Sequence, residues 1–283
     1  MELRGDYTHA AADFSVEQNY AQYNDDQHAL WSTLLARQVA LLPQHAVIAF
    51  SNGVAALNLT NRIPSFAAAS TVLRARTGWE IVPVPGLIPE QAFFDHLAAK
   101  RFPITVWLRR SDEIDYLEEP DLFHDFFGHV PLLTDPVFAD FMQLYGRAGR
   151  RAIEHGGLKM LARLYWYCVE FGLMETPLGL RTYGAGILSS FSETQYALHS
   201  AAPLRIRFNL LRVLRSHYLI DDLQKNYFVI RSFRELMDAA VNTDFVPFYR
   251  EFGSEAGIAP GARWATDEIV AAQESGSSAS NAI

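Results

Sequence analysis

The spacing of apolar side chains predicts a chain that is helical over much of its length. Between His28 and Leu42, apolar residues stand at positions 31, 34, 35, 39 and 42, the three-or-four spacing of one helix face. Acidic residues at 25 and 26 favour the start of this helix. A second helix is predicted from Pro89 to Lys100, with positions 93, 94 and 97 on its apolar side.

Shorter apolar runs between these helices predict strands and breaks. Trp79 to Val84 is typical of a short strand, and Ile104 to Leu108 predicts a strand leading to Arg109. The small apolar run 46–70 is expected to break at the Ser-Asn-Gly sequence 51–53 and at Pro64.

Two further helices are predicted in the middle of the chain. One begins at Thr134-Asp135-Pro136, where an acceptor side chain precedes a proline, and stops before two glycines at 156 and 157. The next runs from Leu158 to Phe171 and carries Glu170 near its end. Together these patterns place helices and a few short strands along the chain.

The chain divides into three segments by composition. Residues 1–24 are expected to form an irregular N-terminal arm, and residues 25–253 a single domain. Residues 254–283 end in a run of Ser, Gly, Ala and Asn and are expected to form a flexible tail. Within this tail, Ile258, Trp264 and Ile269 are apolar enough to dock on the domain.

Composition narrows the function classes. The 283 residues are 49% hydrophobic, enough for one large domain with a substantial core, and the net charge of −8 disfavours a nucleic-acid partner. The single cysteine, Cys168, excludes an internal disulfide and suits a reducing cytosol. We expect a cytoplasmic protein, because no signal sequence and no run near the roughly 20 apolar residues of a membrane span is present.

Candidate chemistry lies in two segments. His124 and His129 fall within one of them and Glu170 within the other. Two imidazoles and one carboxylate are the ligand set that holds non-haem Fe(II) on one face and leaves other positions open for oxygen. If the two segments meet in space, the protein is a candidate oxygenase.

The spacing of the histidines constrains the backbone between them. Residues five apart on an α-helix are rotated by roughly 140° at 3.6 residues per turn, so an unbroken helix cannot aim both imidazoles at one metal. We therefore expect a helix from Pro120 that ends at Gly128, with His124 on the helix and His129 on its unwound end. The zinc-protease motif H-E-x-x-H does not match this spacing.

A structural interpretation of these residues remains open. A histidine pair five apart, taken alone, is more often structural than metal-binding. Glu170 lies among aromatic and aliphatic residues, where a charged side chain is rarely buried without a partner. A metal would be such a partner, and Arg163 is the alternative.

Three motifs resemble the pterin-dependent aromatic amino acid hydroxylases, and most of all the bacterial phenylalanine hydroxylases. They are EEPDLFHDFFGHVPLL (118–133), ARLYWYCVEFGL (162–173) and YGAGILSSFSETQY (183–196). Supporting matches are TGWEIVPVPGLIP (77–89), AFFDHLAAKRFPITVWLRR (92–110) and YFVIRSF (227–233), so the resemblance covers about residues 20 to 250.

The resemblance implies an α+β, mainly α-helical, basket-shaped catalytic domain with a few short strands, and it also implies a reaction. It implies Fe(II) at His124, His129 and Glu170, with tetrahydrobiopterin as the two-electron donor. One oxygen atom of dioxygen would enter the ring of L-phenylalanine at the para carbon, and the other would leave on the pterin. No regulatory domain or long C-terminal heptad helix is evident in the sequence, so we expect a monomer whose partners are these small molecules.

The resemblance also assigns roles to residues around the metal. Arg109 matches the arginine that holds the substrate carboxylate, and Ser189 a serine near the substrate and the first histidine. Trp166, Phe171 and Pro120 match walls of the substrate pocket. Phe93 matches the aromatic residue that stacks on the pterin, and the loop along the pterin edge matches Gly86, Leu87 and Ile88.

Three acidic residues are expected around this site. Asp121 matches an acid that supports a ligand histidine, although it could equally accept hydrogen bonds from first-turn helix amides. Asp125 stands where animal relatives carry glutamate, and we expect its shorter side chain to reach the pterin only through water. Glu193 matches an acid near the site without a defined role. Leu117 stands where animal phenylalanine hydroxylases have a threonine near the substrate amino group, so that contact is in doubt.

Alternatives remain at this point. The same motifs would serve a tryptophan hydroxylase or a phenylalanine meta-hydroxylase. A zinc hydrolase with the same ligands is disfavoured because no general base is placed as in H-E-x-x-H. A non-catalytic binder of aromatic ligands is disfavoured by the intact ligand set.

Overall fold

The computed structural model describes residues 4–115, 117 and 119–272. Within that part the fold is mainly helical, which confirms the predicted class. The α-helices are α1 (Asp25–Val39), α2 (Leu42–His45), α3 (Ile48–Leu57), α4 (Phe66–Arg76), α5 (Glu90–Ala98), α6 (Pro136–Glu154), α7 (Leu158–Tyr165), α8 (Ala185–Leu188), α9 (Phe191–His199), α10 (Leu210–Arg215), α11 (Phe233–Val241) and α12 (Val246–Phe252).

In the described part of the chain, six short strands form two sheets. They are β1 (Glu80–Val84), β2 (Arg101–Thr105), β3 (Gly172–Thr176), β4 (Gly179–Thr182), β5 (Leu204–Arg207) and β6 (Asn226–Ile230). The first two strands pair in parallel, with Val82 opposite Pro103. The second sheet has the order β4-β3-β6-β5, antiparallel between β3 and β4 and parallel elsewhere. All five residues of β6 are buried, so this strand lies inside the domain.

Local sequence signals account for the helix boundaries. The Asn24 side chain accepts a hydrogen bond from the Gln27 amide, and the Gln27 side-chain oxygen accepts one from the Asn24 amide, which starts α1 as a capping box. Asp135 caps α6 by accepting from two backbone amides, with Pro136 at the first helical position. Helix α6 lies close against α5, because a Cβ at Gly149 would be 1.9 Å from the Phe94 ring.

Most of these local predictions are confirmed, but the expected break at 51–53 and the bounds of the second strand are wrong. Helices α1, α5 and α6 and strand β1 lie close to where the patterns placed them, whereas α7 begins as expected at Leu158 but ends at Tyr165 rather than Phe171. The expected break at 51–53 does not occur, because α3 runs through it, and its Gly53 packs so closely on Pro131 that a Cβ would be 2.1 Å from the carbonyl oxygen. The second strand begins and ends three residues earlier than expected.

The described part of the N-terminal arm is irregular apart from a 3-10 turn at Tyr20–Gln22. Side chains of this arm bond to the domain, with the Tyr20 hydroxyl donating to the Ile63 carbonyl and the Tyr23 hydroxyl to the Val106 carbonyl. The thiol of Cys168 is buried, and burial raises its pKa, as expected for a structural cysteine. Among the described residues no helix is both long and apolar enough to span a membrane.

The C-terminal segment corrects the expectation of a flexible tail from residue 254. Ile258 is 5% exposed and exchanges backbone hydrogen bonds with the Arg215–His217 region. Farther along, Ile269 forms a bridge to Ile206 of β5, and Asp267 pairs with Arg212. Apolar and charged side chains of residues 254–272 thus contact partners in the domain, and composition alone does not reveal these contacts. Residues 273–283 lie outside the described part of the chain.

We predict that Asp267→Ala lowers the free energy of unfolding by about 3–5 kcal/mol, because it leaves a buried cation without its counter-charge. Both side chains of the Arg212–Asp267 pair are only 3% exposed. Chemical denaturation followed by circular dichroism measures the change. The control is Glu268→Gln, whose side chain is 61% exposed beside Arg207 and should cost less than about 1 kcal/mol. Equally small losses for the two variants would contradict the docked arrangement.

Candidate metal centre and active site

The two histidines stand on a π-helical segment, His124–His129, that follows a short α-helical start. This differs from the predicted helix end at Gly128. In a π-helix the hydrogen bonds join residues five apart, so side chains at that spacing share a face, as residues four apart do in an α-helix. The backbone meets the five-residue spacing by widening its turn rather than by unwinding.

Glu170 reaches the same point from a second π-helical segment, Trp166–Glu170, at the end of α7. Its carboxylate oxygens lie 3.1 Å from His129 Nε2 and 3.5 Å from His124 Nε2. One ligand atom from each residue can be chosen so that all three lie within 4.8 Å of one another. The two segments therefore meet in space, which was the condition for a metal site. Arg163, the alternative partner considered for Glu170, instead donates to the Leu214 carbonyl and approaches His217. It is therefore not the partner of Glu170.

Ser189 fixes the orientation of the His124 ring. The Ser189 hydroxyl donates to the Ala185 carbonyl at 2.8 Å and lies 2.9 Å from His124 Nδ1. A serine hydroxyl has one hydrogen, so here it accepts from the Nδ1–H group. The lone pair of His124 then lies on Nε2, which faces Glu170, and this tautomer is the one a metal ligand requires.

Electrostatics keep Glu170 ionised although it is buried. Burial opposes the charge, but the neighbouring imidazoles and a hydrogen bond from His129 outweigh it and hold the pKa of Glu170 below its usual value. Burial also lowers the pKa of His129, yet the charge of Glu170 exceeds this effect and leaves that pKa raised. A divalent cation at the three ligand atoms would displace any proton held there, because metal ligands bind deprotonated.

The donor set fits an Fe(II) ion. Two imidazole nitrogens and one carboxylate, all on one side, match the facial triad, and thiolate ligands are absent from the cluster. The other side is open, because two cavities of about 710 and 720 Å³ meet at His124 and Glu170. An ion held here would keep free positions toward both cavities.

The first cavity, which we call the loop-side cavity, contains every residue expected to contact the pterin. Gly86, Leu87 and Ile88 line one wall, and Phe93 from α5 lines another. Asp125 also lines this cavity, where its carboxylate accepts from the Thr105 amide at 2.9 Å. The Leu87 carbonyl is bound by the hydroxyl of Tyr7, so the N-terminal arm holds the loop in place.

The second cavity, which we call the arginine-side cavity, contains the residues expected to contact the substrate. Arg109, Ser189 and Phe171 line it, and Trp166 and Pro120 line both cavities. The Trp166 and Phe171 rings lie 4.9 Å apart between centroids and form an aromatic wall. Glu193 also lines this cavity.

The Glu193 carboxylate is a structural acceptor in the described contacts. It accepts from the Tyr227 hydroxyl at 2.5 Å and from the Gln224 amide at 3.3 Å. Burial raises the pKa of Glu193, against the effect of these hydrogen bonds. Gln224 in turn accepts from the Trp166 indole, so the acid supports the aromatic wall through one intermediate residue.

Asp121 contacts Arg109 rather than the ring of a histidine. Its oxygens accept from Arg109 Nε at 2.8 Å and Nη2 at 2.9 Å, and both side chains are almost completely buried. The same carboxylate accepts from the backbone amide of His124. These hydrogen bonds therefore support the second role considered for Asp121, an acid that accepts from an amide in the first turn of the helix. Asp121 thus occupies the Nε–Nη2 edge of the guanidinium, while Nη1 donates to the Ile114 carbonyl at 3.3 Å.

Some residues of the site were not anticipated from the sequence. Tyr165 lines both cavities, and burial together with the charge of Glu170 raises its pKa well above the usual value. Tyr218 stacks on Trp166 at 4.2 Å between ring centroids. Tyr165 lies within a quoted motif, but Tyr218 follows a loop whose position only the tertiary fold determines.

Comparison with known proteins identifies the family. The family model described as biopterin-dependent aromatic amino acid hydroxylase matches residues 2–248. The chain belongs to this family. It is 54% identical over 243 residues to a phenylalanine-4-hydroxylase of Ralstonia nicotianae, covering 86% of this chain and 77% of that protein. It is 53% identical over 243 residues to the Chromobacterium violaceum phenylalanine-4-hydroxylase, covering 86% of this chain and 82% of the relative.

Solved structures of the Chromobacterium violaceum phenylalanine hydroxylase share the fold. The form with iron and phenylalanine bound matches with a TM-score of 0.88 and 49% identity, over 93% of this chain and 96% of that one. The form with iron(III) and 7,8-dihydrobiopterin bound matches with a TM-score of 0.89 and 50% identity, over 93% of this chain and 94% of that one.

We predict that Ser189→Ala weakens iron binding by about 10- to 100-fold, because the His124 ring loses the acceptor that sets its tautomer. Titration with Fe(II) under anaerobic conditions measures the affinity. The neighbouring exposed Ser192, which bonds only to Ser190 in the described contacts, provides the control variant Ser192→Ala. Unchanged iron affinity in the Ser189 variant would show that this hydroxyl does not support the ligand.

Proposed function

We propose that this protein is a phenylalanine 4-monooxygenase, which converts L-phenylalanine to L-tyrosine with dioxygen and a tetrahydropterin at an Fe(II) centre. The decisive observation is the triad of His124, His129 and Glu170 at the junction of the two cavities. Identity of 50–54% with several bacterial phenylalanine-4-hydroxylases supports this substrate and product.

The three triad residues would hold Fe(II), and tetrahydrobiopterin or a related tetrahydropterin would occupy the loop-side cavity. When bound, the two cofactors supply the electrons and the activated oxygen for ring hydroxylation. Gly86, Leu87 and Ile88 would contact the pterin edge, and Phe93 would pack on its ring. Asp125, anchored by the Thr105 amide, would face the same ligand.

Residues of the arginine-side cavity would bind and orient the substrate. The Nη1–Nη2 edge of Arg109 would hold the carboxylate, while Asp121 keeps the guanidinium in place. Trp166, Phe171 and Pro120 would enclose the ring and exclude water. A carboxylate fixed at one end and a ring confined at the other determine which ring carbon faces the metal.

We also propose that the enzyme acts in the cytoplasm as a monomer. The buried reduced cysteine suits a reducing compartment. The proposed partners are small molecules, for which the two cavities provide space.

The function is tested by incubating the purified protein with Fe(II), tetrahydrobiopterin, oxygen and each aromatic amino acid. We expect tyrosine from phenylalanine as the main product. His124→Ala, His129→Ala and Glu170→Ala should each abolish hydroxylation and weaken iron binding, because the site has no spare protein ligand. Formation of meta-tyrosine or hydroxytryptophan as the main product would instead support the alternative members of the family.

We predict that Arg109→Lys raises the KM for phenylalanine by about 10- to 100-fold with little change for the pterin, because an ammonium lacks the planar fork. Steady-state kinetics with each ligand varied in turn measures the two constants. The control is Arg110→Lys, since the adjacent side chain is 69% exposed. Equal effects on both ligands would indicate that Arg109 acts only on the fold.

A further inference from the structure

The loop of residues 86–88, which lines the loop-side cavity, has few polar contacts with the rest of the fold. Within the part of the chain that the structure describes, its backbone takes part in one hydrogen bond, which the Leu87 carbonyl accepts from the Tyr7 hydroxyl at 2.8 Å. The three backbone amides of the loop donate to no described group. A side chain of the N-terminal arm therefore provides the polar restraint on the middle of this loop.

The arm and the loop approach each other closely at two glycines. A Cβ on Gly86 would lie 2.9 Å from the Tyr7 hydroxyl oxygen, and a Cβ on Gly5 would overlap the Pro85 carbonyl oxygen. Glycine permits such an approach because it carries no side chain. The absence of a side chain at both positions thus lets the Tyr7 hydroxyl reach the Leu87 carbonyl.

Contacts on both sides of Tyr7 keep the arm in place. Before it in the chain, the Arg4 guanidinium pairs with the carboxylate of Glu113. After it, the Val16 amide donates to the Pro83 carbonyl at 2.9 Å. Both anchors attach the arm to the domain, so they determine where the Tyr7 hydroxyl lies relative to the loop.

The hydrogen bond to the Leu87 carbonyl also sets the direction of the next amide. The peptide bonds of the described residues are trans, and in a trans peptide unit the carbonyl and the amide point in opposite directions. The Ile88 amide is therefore turned away from the Tyr7 hydroxyl. Because the loop has no other described hydrogen bond, loss of this hydroxyl would free the Leu87–Ile88 peptide unit to rotate and exchange the two directions.

We propose that Tyr7 is a positioning residue for the pterin. Its hydroxyl holds the Leu87–Ile88 peptide unit in the orientation that binds the cofactor, and the pairing of Arg4 with Glu113 holds the arm that carries it. A loop that is already fixed in its bound conformation loses less entropy when the ligand arrives, which favours binding. This inference rests on the proposed function, in which a tetrahydropterin occupies the loop-side cavity.

Tyr7→Phe tests this role, because it removes the hydroxyl and keeps the ring. Calorimetry on the iron-loaded protein measures the affinity for 7,8-dihydrobiopterin, an oxidised pterin that supports no turnover, and separately for L-phenylalanine. We expect the variant to bind dihydrobiopterin about fivefold more weakly and phenylalanine as well as the unchanged protein does. In steady-state kinetics the KM for tetrahydrobiopterin should rise by a similar factor, with smaller changes in kcat and in the KM for phenylalanine.

Tyr20→Phe is the matched control. The Tyr20 hydroxyl lies on the same arm and also donates to a backbone carbonyl at 2.8 Å, but its acceptor, Ile63, is not part of the loop-side cavity wall. Each variant loses one hydroxyl–carbonyl hydrogen bond, so their melting temperatures should fall by similar amounts. Dihydrobiopterin binding should weaken in Tyr7→Phe and stay unchanged in Tyr20→Phe.

Arg4→Met tests the anchor of the arm. It removes the guanidinium that pairs with Glu113 but keeps the backbone amide that donates to Glu119. Neither Arg4 nor Glu113 lines the loop-side cavity, so an effect on dihydrobiopterin must pass through the arm. We expect about two- to threefold weaker binding, and no further loss when Arg4→Met is added to Tyr7→Phe. No effect, or an additive loss in the double variant, would overturn the role of Arg4.

The outcomes distinguish this inference from the function on which it rests. A protein that binds no dihydrobiopterin and forms no tyrosine overturns both. If the unchanged protein is a tetrahydropterin-dependent hydroxylase and Tyr7→Phe keeps its affinity for dihydrobiopterin, the role of Tyr7 is overturned alone. Equal losses of the two ligands in Tyr7→Phe, or equal losses of dihydrobiopterin in Tyr7→Phe and Tyr20→Phe, would overturn it as well, because they indicate a general effect on the fold.

Discussion

The geometry of this site depends on one constraint, the five-residue separation of His124 and His129. An α-helix would direct the two imidazoles apart. The chain uses a π-helical turn at His124–His129 and another at Trp166–Glu170, and together these place three ligand atoms within 4.8 Å. A π-helical turn has poorer packing than an α-helix. Its surroundings here are tightly packed, since Phe126 and Phe127 are fully buried and a Cβ at Gly128 would lie 3.0 Å from the Ala185 carbonyl oxygen.

Arg109, the proposed substrate anchor, and His124 share one support. Asp121 accepts hydrogen bonds from the Arg109 guanidinium and from the backbone amide of His124, and is itself fully buried. Buried charges are tolerated where they are paired and hydrogen-bonded, and here both conditions hold. The carboxylate of Asp121 thus links the Arg109 guanidinium directly to the backbone that carries His124.

The sequence predicted the helices with clear periodicity and the three candidate ligands, but not the backbone that joins them. Gly128 and Pro131 favoured a helix end because both residues are commonly found at breaks. The tertiary packing of Phe123, Phe126 and Phe127 preserves a helical path instead. The same limit applies to Trp264 and Asp267, since their buried partner Arg212 lies more than fifty residues earlier in the chain.

Resemblance to a family placed Arg109 and Asp121 in the site but gave them separate roles. Only the three-dimensional arrangement shows that they pair with each other.

Among the described residues, five line both cavities, namely Pro120, His124, Tyr165, Trp166 and Glu170. The wall between the cavities is therefore one side chain thick. A shift of Trp166 or Tyr165 imposed by a ligand in one cavity would change the space in the other. By thermodynamic linkage, ligands in the two cavities would then alter each other's affinity by the same factor.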